Sequence, residues 1–196
     1  MFSLILALLL ACPAPLEIER LSRDTRSEEP VDPPVFGVNE RDNCDQSAIG
    51  SSVCNLVLLD HDNEIWELYD LEGKVIILDF STVWCGPCVN AAAHVQRIQD
   101  DYSDHMVFAT LLVQGATGQP ATQQDVIDWK TVHGITSAPV LQASRDYVMD
   151  PAGITGYLVG GYPTYVYIDQ NLIIHTGHVG FSEEYMRLTL DNLLGL

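Results

Sequence analysis

The stretch from Lys74 to Cys88, KVIILDFSTVWCGPC, narrows the choice of fold more than any other part of the chain. KVIILDF is a nearly continuous apolar run rich in β-branched residues, the pattern of a strand buried on both faces. It runs straight into a helix, CVNAAAHVQRIQDDY, with Ala91, Val95 and Ile98 at helical spacing on one face. A central strand feeding directly into a helix points to an α/β sheet. Two cysteines two residues apart at that junction can hold a zinc ion, close a staple or shuttle electrons.

The position of the pair favours redox chemistry. Cys85 falls at the end of the strand, in the first helical turn or just before it. There the unpaired backbone N–H groups and the positive end of the helix dipole favour a thiolate. Such a setting lowers a cysteine pKa from about 8.5 to roughly 3.5–7.5. Cys88 faces Cys85 across one turn and sits deeper, so Cys85 is expected to attack and Cys88 to resolve the mixed disulfide. Pro87 lacks an N–H and suits a first turn. Trp84 offers an apolar shoulder for a partner's backbone. Asp79 interrupts the apolar strand six residues before Cys85. Buried there, it would have a raised pKa and exchange protons with Cys88; on a solvated face it would do neither.

Before and after this core the pattern keeps alternating. VCNLVLLDHDNEIWELYDLEGK reads as two short strands around a turn at His61-Asp62-Asn63, and MVFATLLV as a second buried strand. A Gly/Pro/Thr loop leads to the amphipathic helix QQDVIDWKTVHG, closed by Gly134. APVLQAS is a short strand, and residues 145–158 are helical or irregular. TYVYIDQNLIIHTGHVG is a hairpin turning at Asp169-Gln170-Asn171. A last helix is capped by Ser182.

The N-terminus differs in kind. Ten of the eleven residues before Cys12 are apolar, the length of a secretory signal core and too short to span a bilayer. Leu9-Leu10-Ala11-Cys12 resembles the lipobox of bacterial lipoproteins, which implies lipidation at Cys12. Residues 13–43 hold five of the ten prolines and a charged string, with no apolar period to pack. The expected organisation is therefore a signal segment at 1–12, a flexible tether at 13–48 and a folded domain at 49–196. The formal net charge of −18 argues against nucleic acid and anionic lipid surfaces as partners.

With these residues on the page, VIILDFSTVWCGPC looks like the active-site segment of thioredoxins. GGYPTYVYID resembles that family's cis-proline loop, with Pro163 as the cis-proline. Tyr162 would then pair its backbone with an extended substrate, and Thr164 follows. Seventy-four residues lie between Cys88 and Pro163, more than in plain thioredoxins. That insertion and the early strand pair resemble the TlpA/ResA group of exported bacterial thiol–disulfide oxidoreductases, which overlaps the AhpC/TSA superfamily. The resemblance implies a thioredoxin fold: a central mixed sheet flanked by helices, an N-terminal strand pair, and a helix and strand inserted before the cis-proline loop. It implies a protein-disulfide reductase acting through Cys85, Cys88 and Asp79. Trp84, Gly86, Pro87, Tyr162, Pro163 and Thr164 would contact the client. The setting would be the periplasm or cell envelope, with a membrane electron donor, membrane contact only through the N-terminal anchor, a monomeric state, and a role in cytochrome c maturation. No metal or organic cofactor is implied.

Other readings remain. With Cys12 removed or lipidated, four cysteines remain, and Cys44 and Cys54 can bridge a loop of about ten residues or stay free. A zinc site is disfavoured by the Gly-Pro between Cys85 and Cys88 and by histidines that do not cluster at ligand spacing. A peroxiredoxin-type thiol peroxidase would match Thr82, but Leu78 stands where that family has proline. A client-binding module without turnover would need no second cysteine.

Overall fold

The computed structural model describes residues 44–149 and 156–196; the signal-like segment, Cys12 and most of the expected tether lie outside them. Strands β1 (Val57–Asp60) and β2 (Ile65–Glu67) pair antiparallel, and a single 3-10 turn leads to β3 (Val75–Thr82). Helix α1 (Gly86–Asp101) then crosses to β4 (Met106–Gln114). Helix α2 (Gln123–Val132), β5 (Val140–Gln142) and the short α3 (Arg145–Met149) form the insertion. The chain closes with β6 (Thr164–Ile168), β7 (Ile174–Val179) and α4 (Glu183–Leu194).

The seven strands form one mixed sheet in the order β2-β1-β5-β4-β3-β6-β7. Strands β3, β4 and β5 run parallel, while β6, β7, β1 and β2 join antiparallel. Every residue of β3 is buried, as its continuous apolar run requires. Its side chains alternate between two cores. Val75 and Ile77 pack with Ala92, Val95 and Ile98 of α1 and with Met186 and Leu190 of α4. Ile76, Leu78 and Phe80 pack on the opposite face with Leu56, Leu58 and Leu68. The architecture is the expected thioredoxin fold.

Local signals act as the sequence suggests. Thr122 and Asp125 form a reciprocal capping box at α2. Gly134 takes a φ of +64° after that helix, a conformation that favours glycine. Ser182 caps α4 by accepting from the Tyr185 N–H.

Two details differ from expectation. Folded structure begins by Cys44, five residues before the boundary drawn at 49. Here Asp45 N–H donates to Ser52 O at 2.8 Å, and the Asp45 carboxylate accepts from both the N–H and hydroxyl of Ser47. Polar turns held by a disulfide carry no apolar period, so pattern reading passes over them. The β6–β7 turn also extends past Asn171. Asp169 Oδ1 accepts from Asn171 N–H and Ile173 N–H, and buried Leu172 takes a φ of +61°.

Candidate active site

Parallel strands β3 and β4 end at one edge of the sheet, and antiparallel β6 begins there, since Phe80 pairs with Thr164. This topology brings the CGPC motif and the Pro163 loop together from 74 residues apart.

Cys85 is the N-cap of α1, and its sulfur lies 3.2 Å from the Cys88 N–H that donates to it. Gly86 and Pro87 form the exposed first turn. Cys85 and Cys88 are joined in a disulfide with Cα atoms 5.2 Å apart. Both are covered in this oxidised form, Cys85 at 4% exposure and Cys88 at 1%.

The Tyr162–Pro163 bond is cis. Tyr162 O lies 3.5 Å from Cys85 Sγ, and Pro163 O accepts from Gly180 N–H at 2.8 Å. The hydroxyl of buried Thr164 donates to Gly161 O at 2.7 Å, bracing the loop. Trp84 is 53% exposed and meets the Tyr162 ring edge-on, with centroids 6.0 Å apart.

Asp79 is buried, at 2% exposure, on the sheet face that carries α1. Its carboxylate accepts from Ser81 Oγ at 2.7 Å and from Thr110 Oγ1 at 3.2 Å. Burial lifts its pKa to about 7 against the pull of those two hydrogen bonds. A buried carboxyl poised near neutrality can take or return a proton at working pH.

Sequence reasoning missed the groups around Asp79. Ser81 was accessible to it, because residues i and i+2 of a strand share a face. Thr110 and Tyr165 were not, since they stand opposite Asp79 only through the registers of β4 and β6. The Tyr165 hydroxyl is buried without a hydrogen-bond partner. Burial and then the Asp79 charge hold its pKa above the ordinary value.

The remaining candidates lie apart from the dithiol. Cys44 and Cys54 are bridged, with Cα atoms 4.9 Å apart. Asp60, His61 and Asp62 form the one cluster of metal-ligand type among the described residues, and Lys130 Nζ already sits 2.7 Å from His61 Nε2. His94 Nδ1 lies 3.0 Å from a carboxylate oxygen of Glu183, joining α1 to α4.

Residues 56–127 match the thioredoxin family model. The thiol-disulfide oxidoreductase ResA of Halalkalibacterium halodurans is 28% identical over 144 residues, 71% of this chain and 76% of that protein. The thioredoxin-like protein YneN of Bacillus subtilis is 27% identical over 126 residues, 63% of this chain and 68% of its own length. Among solved structures, the pneumococcal exposed lipoprotein thioredoxin of Streptococcus pneumoniae superimposes with a TM-score of 0.60 at 26% identity, covering 71% of this chain and all of that one. A thioredoxin-family thiol:disulfide interchange protein from Chlorobium tepidum shares the fold at 20% identity and a TM-score of 0.59, covering 76% of this chain and 99% of that one.

A thioredoxin fold with a CxxC pair at the head of its first long helix defines the class, the thiol–disulfide oxidoreductases. Residues 56–127 carry a thioredoxin domain, and the chain is similar to the oxidoreductase ResA and to the thioredoxin-like YneN.

Proposed function

We propose that the protein reduces disulfides in polypeptide clients outside the cytoplasm, through Cys85 and Cys88. One observation carries the reading: the redox pair caps α1 within 3.5 Å of the Tyr162 carbonyl. There a client strand can lie along the cis-proline loop while its sulfur meets Cys85.

The thiolate of reduced Cys85 attacks one sulfur of the client disulfide, and the client's other sulfur leaves as a thiolate. Cys88 gives its proton to Asp79 and attacks the Cys85 sulfur. The Cys85–Cys88 disulfide closes and the second client thiolate departs. The client thus gains two electrons and takes up two protons, from Asp79 and from water. A membrane dithiol carrier then returns two electrons and two protons to the pair. Trp84, Gly86, Pro87 and Tyr162 form the surface the client meets, with buried Pro163 and Thr164 shaping the loop behind it.

Three observations support an oxidising compartment and a lipid anchor. The Cys44–Cys54 bridge persists only where thiols are not kept reduced. Cys12 follows an apolar run of signal length. A structural relative at 26% identity is an exposed lipoprotein. Among the described residues no helix is long and apolar enough to cross a membrane. A monomer serving cytochrome c maturation is the role within this reading, resting on the resemblance to the TlpA/ResA group.

The test is the reduction potential of the Cys85–Cys88 pair in the full chain, by equilibration with glutathione buffers and alkylation. A value near about −270 mV fits a reductase. One near about −120 mV overturns the reducing direction in favour of disulfide installation. A pair that cannot be cycled leaves a binding module in place of the enzyme.

A further inference from the structure

A depression of about 210 Å³ opens beside the cis-proline loop, on the sheet face opposite α1. Thr164 and Val166 of β6 lie in register with Val179 and Gly177 of β7, and these four share that face. Gly177 leaves the floor bare, and necessarily so: a Cβ there would come within 2.9 Å of the Tyr165 carbonyl oxygen. Residues 46–49 form one wall. That loop is tied down by the Cys44–Cys54 disulfide, by Asp45 N–H to Ser52 O and by Gly50 N–H to Ile174 O.

Two features set this surface apart. The chain carries 27 acidic residues and a formal net charge of −18, yet among the described residues no Asp, Glu, Lys or Arg lines the depression. Three of its lining side chains are large, apolar and mostly in solvent: Ile49 at 70% exposure, Leu158 at 64% and Val179 at 58%. Contiguous apolar surface of this kind marks an interaction site more often than chance exposure.

It also adjoins the cis-proline loop. Thr164, in its floor, directly follows the cis-proline. Val179 packs on Gly161, with its Cγ1 3.4 Å from where a Cβ would stand. Tyr162 joins that loop to the exposed face of Trp84. The volume is small for a drug-sized ligand, which fills roughly 300–1,000 Å³, but suits one aliphatic side chain. From Tyr162 to Thr164 is two residues, about 7 Å of extended chain. A client strand following the loop therefore reaches the depression a few residues from its reacting cysteine.

We propose that this depression is a specificity pocket, seating an aliphatic side chain of the client polypeptide within about four residues of its disulfide-bonded cysteine. The proposal rests on the disulfide-exchange reading above. An acidic residue at that client position is rejected, because it would lose water to an apolar floor inside an acidic protein's field. The Cys44–Cys54 disulfide gains a role in recognition, as the brace of the wall that presents Ile49.

The test uses the full chain and a set of Gly/Ser peptides, each linked through one cysteine to a quencher by a disulfide. A single Leu, Ser or Asp is placed at each position from one to four residues on either side of the cysteine. In at least one register Leu should react about three- to tenfold faster than Ser, and Asp slower than both, as one aliphatic group in a pocket allows. Leu158→Ser and Ile49→Ser alter exposed side chains only. They should flatten that preference by raising KM, with the rate toward glutathione disulfide unchanged. Equal rates for all peptides, or a preference that survives in both variants, overturns the pocket. A photo-reactive benzoylphenylalanine at position 158 should cross-link to the Leu peptide. Cross-linking instead to a second copy, or to residues 1–43 of the same chain, assigns the surface to that occupant and overturns the proposal. Loss of exchange even with glutathione disulfide is a different failure, since it removes the oxidoreductase reading itself.

Discussion

The sulfur of Cys85 lies 3.5 Å from the carbonyl oxygen of Tyr162, so the helix bearing the dithiol and the loop bearing the cis-proline meet at the reacting sulfur. Neither element alone makes a site. The helix N-terminus supplies the electrostatics that favour a thiolate. The loop supplies a backbone edge along which an extended client can lie. Their meeting depends on β3 and β6 being neighbours in the sheet.

That geometry assigns unequal roles to the two cysteines, and single substitutions separate them. Cys88→Ser should leave Cys85 free to attack and then hold the client as a mixed disulfide, visible as a shifted band on a non-reducing gel. Cys85→Ser should form no such adduct. Turnover should fall at least about a hundredfold in both, since paired catalytic groups act as a unit. Equal trapping by both variants would falsify the assignment.

Asp79 gives a dependence on pH with a definite sign. Burial raises its folded pKa from the ordinary 3.8 to about 7. The proton-bound form favours folding, so its contribution is complete below about pH 4 and is lost as pH rises to 7. Three units at 1.36 kcal/mol each amount to roughly 4 kcal/mol of stability lost across that window. Asp79→Asn keeps the shape, and a neutral amide needs no dehydrated charge. The variant's oxidised form should gain stability over wild type by a few kcal/mol at pH 8 and little at pH 4. The release of client from the Cys85 mixed disulfide should lose its rise through pH 7. Chemical denaturation at the two pH values and single-turnover rates check both halves.

How much of this was legible in the sequence depends on the range of the interactions. Strand β3 and helix α1 are written in contiguous residues, a β-branched run and then Ala91, Val95 and Ile98 at helical spacing, so both read directly. The pairing of Cys85 with Cys88 follows from their spacing of one helical turn. Pro163 was reached through the resemblance of GGYPT to a known loop, because nothing local marks a proline as cis. The hydroxyls of Thr110 and Tyr165 around Asp79 were out of reach. They belong to strands 31 and 86 residues away by number, and only the sheet registers align them. Strand β5 was read from APVLQAS, but its place between β1 and β4 comes from pairing and was out of reach.

The Cys44–Cys54 bridge closes a loop with a sequence separation of 10. A crosslink of that length stabilises by about 2–3 kcal/mol, chiefly by restricting the unfolded chain. The double variant Cys44→Ser/Cys54→Ser should therefore melt about 5–10 °C lower, using about 2–4 °C per kcal/mol for a chain of this size. The Cys85–Cys88 potential should stay within error, because the Cys44–Cys54 bridge lies ahead of β1 whereas the dithiol sits at the head of α1. An unchanged melting temperature would mean that the hydrogen bonds from Asp45 to Ser52 and from Ser47 to Asp45 hold the loop without the crosslink.

A charged clamp joins α1 to α4, and it should fail in acid. Arg97 meets the Glu183 carboxylate with two hydrogen bonds of 2.7 Å each, Arg187 Nε adds a third at 2.8 Å, and Arg187 Nη2 also reaches Asp101 at 2.6 Å. Hydrogen bonds from Arg97 and then Arg187 hold the Glu183 pKa down at about 2, below the ordinary 4.5. A lowered carboxylate contributes stability above its unfolded pKa and loses it as pH falls through the folded one. The clamp is therefore intact above about pH 5 and lost toward pH 2. Arg97 is mostly in water, so solvent screening reduces the clamp's worth to about 1 kcal/mol rather than the larger figure the shift alone implies. Glu183→Gln should lower stability by about that amount at pH 7 and leave it unchanged at pH 2. The difference at pH 7 should shrink in about 1 M salt, where charges are screened within about 3 Å. A deficit that persists at high salt and low pH would make the loss one of packing beneath α4 instead of charge.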